Sequence, residues 1–312
     1  MKKYISKLFF LVIILSIISS CKKEEETSID PYNCTANIIA DQIAENTLNV
    51  DQFSYGSPIE AKNGSSIILF DNLLDQNGNE YTGQVNITLV DAQDNKNMLL
   101  MGYPTITNTN ELLVSGGICF FNPTDNNGNP LFINPNGNLP QLTIPNSTNN
   151  MNEMTLYIES ENNDGEFVWV ETNTNVTPSN PPNSSFTFSI SNTGGVNMDY
   201  PLPPCTGSFN INLPSEYNGS NSSVFIYYTN RNSVIRAYDN DNDGNFIIDN
   251  MLCSEDSVQF VIISQINGIR EYHVSEQFEI PGNWNYTVAR EQLEIRLCDE
   301  AVRLSIKDEL IN

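Results

Sequence analysis

The sequence predicts an all-β chain built as two β-sandwich domains. Three observations predict it. Short runs of alternating apolar and polar residues recur along the chain, the period of strands with one buried face. Between them stand clusters of Asn, Asp and Gly. Asn supplies roughly one residue in seven, far above common usage, and it sits mostly where turns need it. No long stretch carries a helical apolar period, and proline from Pro201 to Pro204 punctuates the chain between two groups of strands.

Taken in order, Met1-Lys2-Lys3 is a basic head and Leu8 to Ser20 is an apolar run of 13 residues. A membrane-spanning helix needs about 20, so residues 1–20 read as a signal peptide. Residues 21–50 read as a tether. Within it, Asn37 to Ala44 could form one or two helical turns or a first strand.

The first domain, 51–200, opens with Ser65 to Phe70. Asp75 to Asn79 is a turn, and Gly83 to Val90 alternates as a half-buried strand. Glu111 to Val114 leads through Gly116-Gly117 into Ile118 to Phe121. A second turn at Asp125 to Gly128 precedes Leu131 to Ile133. Met154 to Ile158 and Phe167 to Val170 flank Asn163-Asp164-Gly165, a hairpin signal. Residues 172–184 read as a loop, and Phe186 to Ile190 alternates again.

The second domain, 205–312, follows the prolines. Ser208 to Leu213 and Ser223 to Tyr228 alternate. The turn Asp239 to Gly244 precedes Phe246 to Ile248. Ser257 to Ile263 is the most apolar run and is expected at the centre of a sheet. Glu271 to Val274 follows the Asn267-Gly268 turn. Gln292 to Leu297 and Ala301 to Ile306 read as two strands, because Ile and Val recur at alternate positions, although one helix would also give them a shared face. Spacing and turn chemistry imply immunoglobulin- or transthyretin-like sandwiches.

The chain has 14 basic and 38 acidic residues and a net charge of -24. Such an excess repels phosphate backbones, so nucleic acid is not expected as a partner. Of six cysteines, Cys21 closes the signal stretch. Cys34, Cys119, Cys205, Cys253 and Cys298 leave an odd count for disulfides. One disulfide is expected among Cys205, Cys253 and Cys298. No cysteines sit at metal-ligand spacing, and His273 is the only histidine, so no zinc site is expected.

Ile18-Ser19-Ser20-Cys21 resembles a bacterial lipobox, and Lys23-Glu24-Glu25 resembles the surface-export signal of Bacteroidota lipoproteins. The resemblance implies acyl chains on Cys21 and several such chains make a stable anchor. Residues 64–133, with GSSIILFDNLLDQNGNEYTGQVNITLV and NELLVSGGICFF, resemble uncharacterised two-domain Bacteroidota lipoproteins. SISNTGGVNMDY at 189–200 is similar to their closing segment, with Gly195 where Trp is usual and Met198 where Cys is usual. The resemblance implies fold and an outer-membrane, surface-exposed location, and carries no catalytic residue.

Asp239, Asp241, Asp243 and Gly244 resemble the start of a calcium loop, but Asn250 stands where a bidentate Glu is needed. Calcium is therefore the one cofactor the sequence suggests. His273 lies in an alternating strand with no Gly-x-Ser-x-Gly elbow. Trp284 and Tyr286 could share one face of a strand, as a platform for a sugar ring or as core. Asp256-Ser257-Val258 resembles a Bacteroidota O-glycosylation signal. The sequence thus points to a non-catalytic envelope module, structural or binding a glycan or an envelope protein. A glycan-binding accessory lipoprotein and a carboxylate-pair hydrolase are the alternatives.

Overall fold

The computed structural model describes residues 33–145, 154–162, 167–178, 185–203, 207–252, 256–266, 269–280, 284–289, 294–295 and 300–310. The signal stretch and Cys21 lie outside them, as do Cys205, Cys253 and Cys298. The expected disulfide therefore lies outside the described residues.

Residues 33–50, expected as the end of a tether, are folded. Helix α1 (Asn33–Glu45) buries Ile38 and Gln42, four positions apart and so on one helical face. Asn46 ends it, its backbone N–H and its side-chain amide both donating to the carbonyl of Gln42. Strand β1 (Thr47–Val50) follows at once.

The first group of strands continues with β2 (Pro58–Glu60), β3 (Ser66–Ile68), β4 (Asn86–Ala92), β5 (Leu113–Thr124), β6 (Gln141–Pro145), β7 (Thr155–Glu161), β8 (Phe167–Asn175), β9 (Thr177–Pro178), β10 (Ser185–Ser189) and β11 (Gly194–Pro201). They form two sheets, in the orders β1-β4-β5-β11-β7-β8 and β2-β3-β6-β10-β9. One face of each meets the other across a core that includes Ile87, Leu89, Phe121 and Met198 on one side and Ile67, Leu142, Ile144 and Phe186 on the other. This is the first sandwich. Gly195 is where the ring of Phe120 comes closest: a Cβ there would stand 2.4 Å from Phe120 Cε1. A tryptophan side chain has no room at that position, and Met198 is fully buried.

The second group comprises β12 (Gly207–Asn212), β13 (Ser222–Tyr228), β14 (Val234–Ala237), β15 (Asn245–Leu252), β16 (Ser257–Ile266), β17 (Ile269–Val274), β18 (Phe278–Glu279), β19 (Trp284–Thr287) and β20 (Glu294–Ile295). One sheet has the order β15-β12-β19 and the other β14-β13-β16-β17-β20, with β18 also on β16. As its apolar run predicts, β16 is central. Phe209, Ile211, Phe246 and Ile248 of the small sheet pack on Val224, Ile226, Phe260 and Ile262 of the large one. Among the described residues no strand ladder crosses from 201 to 207.

The two sandwiches nevertheless share a third core. Strands β5, β13 and β16 are buried along nearly their whole length, so both their faces are covered. The outer faces of the two six-stranded sheets meet through Phe120, Tyr157 and Trp169 on one side and Phe225, Tyr227, Val261 and Tyr272 on the other, with helices wedged between. Besides α1 these are α2 (Asn95–Leu100) and α3 (Glu300–Glu309). Asp94 caps α2, accepting from the N–H of Asn97 at 2.8 Å. Backbone bonds also cross the seam, from Thr105 N–H to the Val234 carbonyl at 2.8 Å and from Ser115 N–H to the Asn232 carbonyl at 2.9 Å. Residues 31–312 thereby make one compact unit.

Helix α3 corrects the expected strand at 301–306. Arg303, Ile306 and Leu310 are buried, at helical spacings of three and four, while Leu304 is 43% exposed. The six-residue alternation was too short to separate the two periods.

Candidate functional groove

The groove grows from three pieces of backbone at the seam. The segment before β5 is pinned to β8: Trp169 Nε1 donates to the Pro104 carbonyl at 3.0 Å, and Trp169 N–H donates to the Ile106 carbonyl at 3.0 Å. Its other side is held to β14 by the Thr105–Val234 bond. Alternation then sorts β14 and β15. Ile235, Ala237, Phe246 and Ile248 face the second core, which turns Arg236, Tyr238, Ile247 and Asp249 outward.

Pro104, Ile106, Phe167 and Val168 from the first sandwich and Tyr238 and Ile247 from the second line a lobe of about 170 Å³, with Asn110, Asn162, Arg236 and Asp249 as its polar lining. Tyr238, Ile247 and Asp249 also wall a neighbouring lobe of about 390 Å³, whose remaining lining is Asp239, Asn240, Asp241, Asp243 and Asn245. The guanidinium of Arg236 lies over two rings, 5.5 Å from the centroid of Tyr238 and 5.9 Å from that of Phe225.

The acidic loop of this second lobe holds itself together through Asp239. One carboxylate oxygen accepts from Asp243 N–H at 3.1 Å; the other accepts from Gly219 N–H at 2.8 Å and Gly244 N–H at 2.9 Å. Gly244 has φ +86, and a Cβ there would stand 2.8 Å from the Tyr217 carbonyl, so only glycine fits the turn. Asp239 is buried and works as the loop's internal anchor, while Asp241 and Asp243 are exposed. Among the described residues no three His, Cys, Asp or Glu side chains are brought together to hold a metal ion. The three aspartates picked out by their spacing share this loop, Asp239 turned inward and Asp241 and Asp243 outward.

Two other turns use the same chemistry. Asp75 accepts from the N–H groups of Asn77 and Asn79 at 2.8 and 2.9 Å, and Asp125 from those of Asn127 and Asn129 at 2.8 Å each. The Asn79 amide, above all, holds Asp75 below the usual carboxylate range, and the Asn129 side chain does so for Asp125.

The remaining candidates fall elsewhere. His273 lies in β17, its ring 5.6 Å from that of Phe260. Tyr286 stacks on Phe278 at 6.1 Å and meets Phe260 at 4.7 Å, so it belongs to the second core and not to an exposed platform. The Trp284 side chain lies outside the described residues. Asp256 is fully buried and paired with Arg231, and Ser257 Oγ accepts from Gln277 Nε2 at 2.6 Å. Cys119 is a free, buried thiol, and burial pushes its pKa up.

Sequence reasoning missed Asp199. It is fully buried on the seam side of β11, beside a bulge after Met198. Asn197 Nδ2 donates to it at 2.5 Å, and Ser115 Oγ donates to Asn197 Oδ1 at 2.7 Å. Burial raises its carboxyl well above the usual range. Asn197 and Asp199 at i and i+2, alternating with the apolar Val196 and Met198, were the available signal.

The fold and groove define a double β-sandwich with a two-lobed recess where the sandwiches meet. No protein-family model matches the chain, and no curated protein matches it.

Proposed function

We propose that this chain is a non-catalytic, lipid-anchored module of the bacterial envelope, tethered to the outer membrane through Cys21 and displayed at the surface. Its binding element is the groove at the seam. The lipid anchor is supported by the apolar run of 13 residues ending at Cys21. The binding role is supported by one observation: residues of both sandwiches, among them Pro104 and Val168 of the first and Tyr238 and Ile247 of the second, line the same recess.

A glycan is the second reading. Phe167 and Tyr238 offer aromatic surface, and Asn110, Asn162 and Asp249 offer polar groups along the same lobe. A hydrolase built on a carboxylate pair is the competing class.

Metabolic labelling with a clickable palmitate is expected to tag the wild type and not Cys21→Ser; equal labelling would remove the anchor. Protease added to intact cells is expected to cleave the chain. Turnover of polysaccharides, esters or peptides that disappears when one acidic pair is changed to Asn would replace the binding role with the hydrolase.

A further inference from the structure

We propose that Asn77 and Asn127 are self-modifying positions, each losing ammonia to the backbone of the glycine that follows, while Asn63 and Asn218 with the same neighbour stay intact. Asparagine is among the thermally labile residues, and a glycine after it leaves the attacking nitrogen unshielded. The backbone nitrogen of Gly78 bonds to Cγ of Asn77. The Cγ–Nδ2 bond breaks, and Nδ2 leaves as ammonia with the proton of the Gly78 N–H. Water then opens the five-membered imide. Cleavage of one C–N bond gives aspartate; cleavage of the other gives isoaspartate, with the backbone routed through Cβ. Gly128 and Asn127 react in the same way. Of the six Asn-Gly pairs in the chain, four form two contrasting sets.

The first set is a pair of matching turns, Asp75 to Asn79 and Asp125 to Asn129. Their glycines share one left-handed conformation, φ +80 at Gly78 and +81 at Gly128. Each glycine N–H donates to the carbonyl of its turn's aspartate at 3.0 Å. Asn77 and Asn127 are exposed, and their side chains lean on the carboxylate of their own turn. Chain neighbours apart, nothing lies within 4 Å of where a Cβ would stand on Gly78 or Gly128. A local opening of the tip therefore frees the nitrogen without disturbing a sheet. Conversion puts a new carboxylate two residues from Asp75 or Asp125. Isoaspartate also lengthens the turn by one backbone atom, so the N–H groups of Asn79 and Asn129 lose register with those aspartates.

The second set is locked. Asn63 Nδ2 donates to Asn46 Oδ1 and to the Asp91 carbonyl, both at 2.7 Å, and its backbone N–H donates to the Asp91 carboxylate at 3.0 Å. Asp91 is fully buried, and swinging the Asn63 amide toward Gly64 would break bonds that the interior cannot replace. At Asn218 the side-chain oxygen accepts from the Ser220 N–H at 2.9 Å and from Ser220 Oγ at 2.5 Å. The attacking nitrogen, that of Gly219, donates to Asp239 Oδ2 at 2.8 Å, a charge-assisted bond. A Cβ on Gly219 would stand 2.6 Å from the Asp239 carbonyl oxygen, so that side is closed.

The test keeps the whole chain folded in mildly alkaline buffer and follows each site by peptide mapping with mass spectrometry. Isoaspartate is counted independently by enzymatic methylation of its carboxylate. Asn77 and Asn127 are expected to convert at matching rates, at least tenfold faster than Asn63 and Asn218. The same chain unfolded in guanidinium chloride is the reference, and there all four should convert alike. Asn77 and Asn127 still intact in the folded chain after the unfolded chain has converted would overturn the proposal. So would Asn63 and Asn218 converting in the folded chain as fast as the two turns. Conversion of only one of the matching turns would overturn it as well, because their geometry is the same.

Discussion

Asp199 brings a carboxyl group into the layer where the two sandwiches meet, with Ser115 and Asn197 as its polar neighbours. Its folded-state pKa is raised by burial, while an unfolded Asp ionises near pH 4. Folding therefore retains a proton that the unfolded chain releases. This group's contribution to stability is fully present below about pH 4 and is lost as the pH rises toward the folded pKa. Asp199→Asn keeps the shape and removes the titration. The variant should gain on the wild type as pH rises, by up to about 1.4 kcal/mol per pH unit until the folded pKa is reached. Urea midpoints at pH 5.5 and pH 8 check this, and a constant gap would contradict it. Residues such as this mark where the sequence stopped being legible. A carboxylate is the same letter whether it faces water, a backbone amide or a core. Asp239, Asp241 and Asp243 were conspicuous by spacing, yet the amides of Gly219 and Gly244 decide how Asp239 is used.

Helix α3 shows the same limit one level up. It docks on α1 through Arg303, which is 4% exposed and reaches both Gln42 and Glu45, while Lys307 lies 3.6 Å from Glu45 and Tyr272 Oη donates to Glu309 at 2.8 Å. Replacing Arg303 by Met would leave the buried amide of Gln42 without this partner. The expected cost is about 2 kcal/mol, tempered because Glu45 is 44% exposed. Chemical denaturation of Arg303→Met checks it; an unchanged midpoint would mean the clamp carries no weight. The strands that face one core were legible: Phe186 and Phe188 in β10, or Phe209 and Ile211 in β12, point inward as their alternation says. The helices were only partly legible: Asn37 to Ala44 was allowed one or two turns, which fall within α1, and 301–306 had a helix as its alternative, whereas α2 went unread. Six residues at 95–100 and ten at 300–309 carry too few turns to display a period, and only caps such as Asp94 betray them.

On the scale of the whole molecule, the break between ladders at 201–207 was readable from the prolines, and both groups of strands fold as sandwiches. The shared core was harder to see. Its signal was the continuous apolar character of β13 and β16, which fits a strand buried on both faces and also simply a central one. Because Phe225, Tyr227 and Val261 pack toward the first sandwich through the same residues that hold the helices, the two halves should melt together. Calorimetry should give one transition with matching calorimetric and van't Hoff enthalpies; two resolved peaks would show that the seam is only a contact.

Helix α1 sits in that seam, and it is the first described element of the chain. Drag on the body of a protein moored by its N-terminus would be carried by α1 before it reached any strand. The eleven residues between Cys21 and Asn33 can reach at most about 40 Å when fully drawn out, so little slack would absorb a sustained pull. The load would fall on Ile38, Gln42 and the Arg303 clamp, and extracting α1 would unseal the layer that joins the sandwiches while leaving each one's own core intact. The seam would act as the molecule's mechanical fuse, yielding at lower force than either sandwich.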